Sequence, residues 1–120
     1  RPVQDDIFTV APNFGNNPKL LVSLLQDTIE EVAPNYILPI IKQGISDGSI
    51  KTDYPEQLAE LIILAANVWM NPMIFGDSEE ESYRKFMVFS QMLQGFGLDI
   101  VDHEMLERLR ELTAIYQKNR

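Results

Sequence analysis

The sequence contains no cysteine. That excludes disulfides, thiolate metal sites and cysteine nucleophiles together. Histidine occurs once, at His103. A general base usually works with an orienting acid and a nucleophile. Asp99, Asp102 and Glu104 are near His103 in sequence, but no serine constellation accompanies them, and His103 reads as an ordinary helix-start residue. The run "HEMLE" lacks the second histidine of the zinc-binding helix motif. Long apolar runs are missing too: Leu61 to Met70 stops well short of the roughly 20 residues that span a bilayer. The opening "RPVQDDIF" has neither the basic nor the apolar region of a signal peptide, and it begins with arginine, as expected of a piece of a longer protein. The expected compartment is the cytoplasm.

Positive charge is scarce. Ten Lys and Arg face 18 Asp and Glu, for a net charge of -8. Nonspecific affinity for nucleic acid comes from cations that neutralise phosphate, so these residues alone are expected to bind DNA or RNA poorly. There is no glycine-rich phosphate loop. Gly44 and Gly48 stand at the end of a helix, whereas phosphate loops open one. "DGSIKTD" lacks the ligand pattern and terminal glutamate of a calcium loop. The acidic run Asp77 to Glu81 reads as a solvated helix N-terminus. No metal or cofactor is expected, and no enzymatic activity.

What is present is a pattern of helices. The chain has 120 residues, 45% of them hydrophobic, which suits one domain with a real core. No strand pattern and no internal repeat stand out. Ile7 to Val10 reads as the tail of a helix and "APNFGNNP" as a loop. Asn17 and Pro18 then form a helix start, since asparagine caps and proline suits the first helical position. Leu21, Leu24, Leu25, Thr28, Ile29 and Val32 follow helical spacing. Pro34 is expected to end or kink the helix near Ala33. Apolar positions resume at Ile37, Ile40, Ile41 and Ile45, so one broken helix should run to about Ser46.

Gly48 supplies a left-handed C-cap, and Ile50 should fold back onto the helix just ended. Asp53 is expected to cap the next helix, with Glu56 reaching back and Pro55 in the first turn. That helix, from about Pro55 to Phe75, is apolar nearly all round. Leu58, Leu61, Ile62, Ala65, Val68 and Trp69 form one face, and Ile63, Leu64, Ala66 and Met70 lie on others. Such a helix must be covered on several sides, and a partner subunit is the expected cover. Asn67 and Asn71 need partners if buried, whether a ligand, the other subunit or water at an exposed edge. Ser78 and Glu81 form a capping box for the following helix, whose Phe86, Phe89, Leu93 and Phe96 share a face and whose end is marked by Gly95 and Gly97. A last helix is expected after Asp102, with Met105, Leu109, Leu112 and Tyr116 as its seam and Glu104 and Arg108 as an ion pair.

The chain therefore reads as all-α, a bundle of about four to six helices. Its aromatic and methionine residues (Phe14, Tyr36, Trp69, Met70, Met73, Phe75, Phe86, Phe89 and Met92) are either core or the lining of an apolar pocket. The candidate pocket set is Phe14, Leu25, Tyr36, Ile40, Trp69, Met73, Phe86 and Phe89. A small apolar or amphipathic effector would suit it.

Three pieces in order carry a resemblance. They are an Asn-Pro-initiated helix ending in "IIKQGISDGSIKTD", the apolar "YPEQLAELIILAANVWM", and the acid-capped "SEEESYRKFMVFSQMLQGFGL". Over roughly Asn13 to Leu98 the chain resembles the C-terminal regulatory domain of TetR-family (tetracycline-repressor) transcriptional regulators. The resemblance implies that residues 1–120 form a ligand-sensing, dimerising domain. The family's N-terminal helix-turn-helix, absent from these residues, would make the DNA contact. It also implies a homodimer through a four-helix bundle, two helices per subunit. By position those are the helices Pro55–Phe75 and Ser78–Phe96, with Leu61, Leu64, Ala65, Val68, Phe89, Leu93 and Phe96 as the interface. The family has no shared ligand motif, so no ligand residue follows from the resemblance. The alternative reading is a freestanding helical protein-interaction module with a Met- and Phe-rich groove.

Overall fold

A computed structural model describes residues 14–98. The expected helix tail at Ile7 to Val10, and everything placed after Asp102, lie outside the described residues. That second group comprises His103, the seam of Met105, Leu109, Leu112 and Tyr116, and the Glu104–Arg108 pair. The described residues form helices and connecting turns, with no strand among them. No helix among them is long and apolar enough to cross a membrane.

After a single 3-10 turn at Phe14–Asn16, Asn17 caps α1 (Pro18–Asp27), its side-chain oxygen accepting from the Leu20 N–H at 3.0 Å. The break expected at Pro34 takes an unusual form. The helix does not stop but widens into a π-helical segment, Thr28–Ile37, before resuming as α2 (Leu38–Asp47). Proline lacks the N–H of the helical ladder, and its ring crowds the carbonyl four residues back. The wider turn gives that ring room, and beyond it the Leu38 N–H donates to Ala33, five residues back.

The two glycines near the end of α2 do different work. Gly48 takes the left-handed conformation, φ 86°. Gly44 is buried, and a Cβ there would run into the Ile50 side chain. Ile50 folds back as expected, its N–H donating to Gly44 O at 3.0 Å and its side chain only 4% exposed.

α3 (Pro55–Leu64) begins one residue later than Asp53 would cap it. Pro55 is fixed at the first helical position, which makes Tyr54 the flanking residue, and Tyr54 makes no side-chain cap. Thr52 Oγ1 instead accepts from the Tyr54 N–H at 3.1 Å. The single helix expected over Pro55–Phe75 is also divided. α3 passes into a second π-helical segment, Ala65–Trp69, and the chain breaks before α4 (Pro72–Phe75). The cause is Pro72, which drives the preceding residue out of the helical region; Asn71 has φ -87° and ψ 107°. The Asn71 amide is satisfied locally, accepting from the Met73 N–H and donating to Asn67 O, both at 2.9 Å. The Ser78–Glu81 capping box is present in full at the start of α5 (Glu79–Gln94).

α3 runs back along the first π-segment and α2. Between them lies the central core of Ala33, Ile41, Ile50, Leu58, Ala59 and Ile63. Each large apolar side chain buried here contributes about 1.5–3 kcal/mol relative to exposure. The turn after α5 is tied to the connector between α2 and α3: the Lys51 N–H donates to Phe96 O at 2.8 Å. Gly97, at φ 92°, comes so close to the Ser49 carbonyl that no Cβ would fit.

Candidate functional site

The far side of α3 is unlike its core side. With the second π-segment it presents Leu61, Leu64, Ala65, Val68 and Trp69 to one wall of an open groove of about 460 Å³. The other wall is Phe75 from α4 together with Val88, Phe89 and Met92 from α5. No lining side chain is charged, and the Trp69 indole carries the lining's one side-chain N–H. Several of these residues are largely accessible: Leu61 is 47% exposed, Trp69 39%, Phe75 56% and Val88 56%. Singly exposed apolar residues are ordinary, but a contiguous set is apolar surface that gains free energy when covered.

One end of the groove is held by Lys85. Its ammonium lies 4.7 Å from the centre of the Phe75 ring and 5.4 Å from that of Trp69, within range for attraction to both ring faces. It donates to the Trp69 carbonyl at 2.7 Å. In a continuing α-helix that carbonyl would have taken the Met73 N–H, which Asn71 has already claimed. Lys85 thus caps a helix end from another helix, where a cation is favoured. Its Nζ also lies 2.7 Å from Oδ2 of Asp77, a residue only 5% exposed. The approach is short but poorly aligned as a hydrogen bond, so the attraction is chiefly Coulombic. The acidic run read as solvated is therefore divided: Asp77 is buried and paired, Glu81 caps, and Glu79 and Glu80 face solvent.

The groove brings together five residues of the expected interface set: Leu61, Leu64, Ala65, Val68 and Phe89. Leu93, 2% exposed, points into the chain's own interior, and Phe96 is half-buried at the connector. Of the expected pocket set, only Trp69 and Phe89 line this groove. Phe14 and Phe86 are buried, Leu25 and Met73 half-buried. Tyr36 and Ile40, at 68% and 63% exposed, stand on the outer side of the long helix. Val88 and Lys85 were not among the candidates. Val88 was readable as a neighbour of Phe89 on an amphipathic helix. Lys85 gives no signal in the sequence, because Asp77 precedes its helix and Trp69 lies 16 residues away.

A second cleft lies on the core side of α3. It measures about 300 Å³, between the first π-segment and the start of α3. Ile29, Ala33, Pro34, Leu38 and Ala59 form its apolar surface, and Glu56 and Glu60 its polar one.

No family model matches the chain, and no solved structure matches it. Among curated proteins the chain is similar to a stretch of human dynein axonemal heavy chain 8, at 28% identity over 116 residues. The match takes in 97% of this chain, which spans about 2% of the length of that curated relative.

Proposed function

We propose that this chain is the effector-sensing and dimerisation domain of a TetR-like transcriptional regulator, and that a second copy of the chain seats in the groove between α3 and α5. The observation that carries the reading is the groove itself: uncharged, open, and framed by the two helices that the family resemblance assigns to a four-helix interface. The net charge of -8 agrees with a domain that leaves DNA contact to another part of the protein. In such a dimer, an effector that favours one spacing of the two DNA-reading units over another shifts the population between them. That spacing decides whether two half-sites are reached together.

The test is molar mass in solution. Wild type is expected at twice the chain's 13.8 kDa, and the double variant Leu61→Glu/Val88→Glu at the single value with its helicity intact. These two positions are exposed in the single chain, so a charge there does not disturb its core. Phe89 and Leu93 are poor probes, being buried within the chain. A wild type that stays monomeric at every concentration would sink the dimer. The same groove would then favour the freestanding interaction module, with a partner's amphipathic helix as its occupant.

A further inference from the structure

We propose, building on the groove as the seat of a second copy, that residues 70–77 form a lid at its aromatic end and that Lys85 is the positioning residue that latches this lid open. Phe75 is the tip of the lid. The first ground is how the segment is attached. Pro72 breaks the helix before it, leaving Asn71 extended at ψ 107°, and Gly76 ends it in the left-handed region at φ 67°. Between these two bends α4 is a single turn, and the Asn71 side chain bonds only to its own neighbours Asn67 and Met73. Lys85 ties the segment to α5 at three points along its length. Its ammonium donates to the Trp69 carbonyl where the segment begins, lies over the Phe75 ring at the tip, and pairs with the buried Asp77 where it ends.

The second ground is the state of the rings. Phe75 is 56% exposed and Trp69 39%, beside a groove with no charged side chain in its lining. An apolar ring in that position gains free energy by turning into the groove and covering the lining. The Lys85 ammonium, attracted to the faces of both rings, holds them back at the wall. Lys85 is itself outside the lining, so it acts on the occupant through Phe75 and Trp69. With the latch released, Phe75 turns about Gly76, covers Trp69 and fills the place where the second copy seats. A groove that is open only part of the time binds more weakly by that fraction.

The experiment compares wild type with Lys85→Met/Asp77→Asn, which removes the cation and its buried partner together and so leaves no lone buried charge. Acrylamide quenching of Trp69, the single tryptophan, reads the lid, and molar mass over a concentration series reads the dimer. The double variant is expected to keep its helicity, to show Trp69 quenching lowered at least about twofold, and to self-associate at least about tenfold more weakly. Adding Phe75→Ala removes the tip and should return the quenching to the wild-type level or above, which a general loosening of the aromatic end would not do. Three results would overturn the proposal. One is quenching in the double variant equal to or above that of wild type. Another is lowered quenching that persists after Phe75→Ala. The third is lowered quenching with self-association untouched. A wild type that is monomeric throughout would sink the dimer and not the lid, because quenching reads the lid in the single chain.

Discussion

On one side of α3, Leu58, Ala59 and Ile63 are closed in by Ala33, Ile41 and Ile50, with each of the six no more than 8% exposed. On the other side, Leu61, Trp69 and their neighbours Phe75 and Val88 are between 39% and 56% exposed, although they are as apolar. The difference comes from what the chain has available to cover them. The long helix, kept continuous past Pro34 by its π-register, lies along the first side. The second side has α5 at its edge only, and α5 turns Phe86, Phe89 and Leu93 inward while Val88 stays out. A helix apolar all round thus has one side satisfied within the described residues and one side left open.

The largest expected effect tests that contrast directly. Ile41→Ala removes a side chain only 2% exposed and should cost about 3 kcal/mol in urea unfolding, while Leu61→Ala should cost under about 1 kcal/mol in dilute protein. The contrast breaks if the two costs are equal at every concentration. It sharpens if the Leu61→Ala cost grows with concentration, because a partner that covers the open side stabilises by mass action.

The next effect is at the junction of the two sides. Lys85→Met would leave Asp77 buried without its cation and the Trp69 carbonyl without its donor. The expected loss is about 1–3 kcal/mol, since Lys85 keeps some solvent contact. Replacing Asp77 by asparagine as well should recover part of it. Trp69 is the chain's single tryptophan, so its fluorescence reports the event directly. An unchanged emission spectrum together with unchanged stability would show that the aromatic end of the groove does not depend on Lys85.

Features fixed by neighbours in sequence are legible from the sequence alone. Gly48 as a left-handed cap, the return of Ile50 and the Ser78–Glu81 box all depend on residues a few positions apart. Proline gave a mixed reading. Pro34, expected to end or kink the helix, widens it instead, while Pro72, which does divide a helix, lies inside a strongly apolar run that reads as one helix. In both cases helical periodicity persisted on either side, and periodicity does not report the hydrogen-bond register. The groove was half legible. Leu61, Leu64, Ala65 and Val68 followed from the excess of apolar positions on α3, but periodicity could not say which side α5 would leave uncovered. Lys85 was illegible because it bonds Trp69, 16 residues away, across a chain reversal.

The smallest expected effect tests the seal on the closed side. The nearby Ser49 side chain and the Ser49 backbone N–H, which donates to Asp47 Oδ1 at 2.9 Å, hold the Asp47 carboxyl below the ordinary value of 3.8, while the Ser49 hydroxyl donates to the Gly44 carbonyl at 3.3 Å. The turn matters because the Ser49 carbonyl is the group against which Gly97 packs. A carboxyl whose folded-state pKa is depressed contributes stability that is fully present above its ordinary value. That contribution is lost as pH falls through the lowered folded value. Asp47→Asn should therefore lower the urea midpoint slightly at neutral pH, and the gap to wild type should close in acid. Asp47 is fully exposed, so solvent screens the effect and it should be the weakest of the three. A gap that persists unchanged at the lowest pH would mean that the loss comes from the shape of the side chain and not from the Asp47 charge, and no gap at any pH would mean that the turn is held without Asp47.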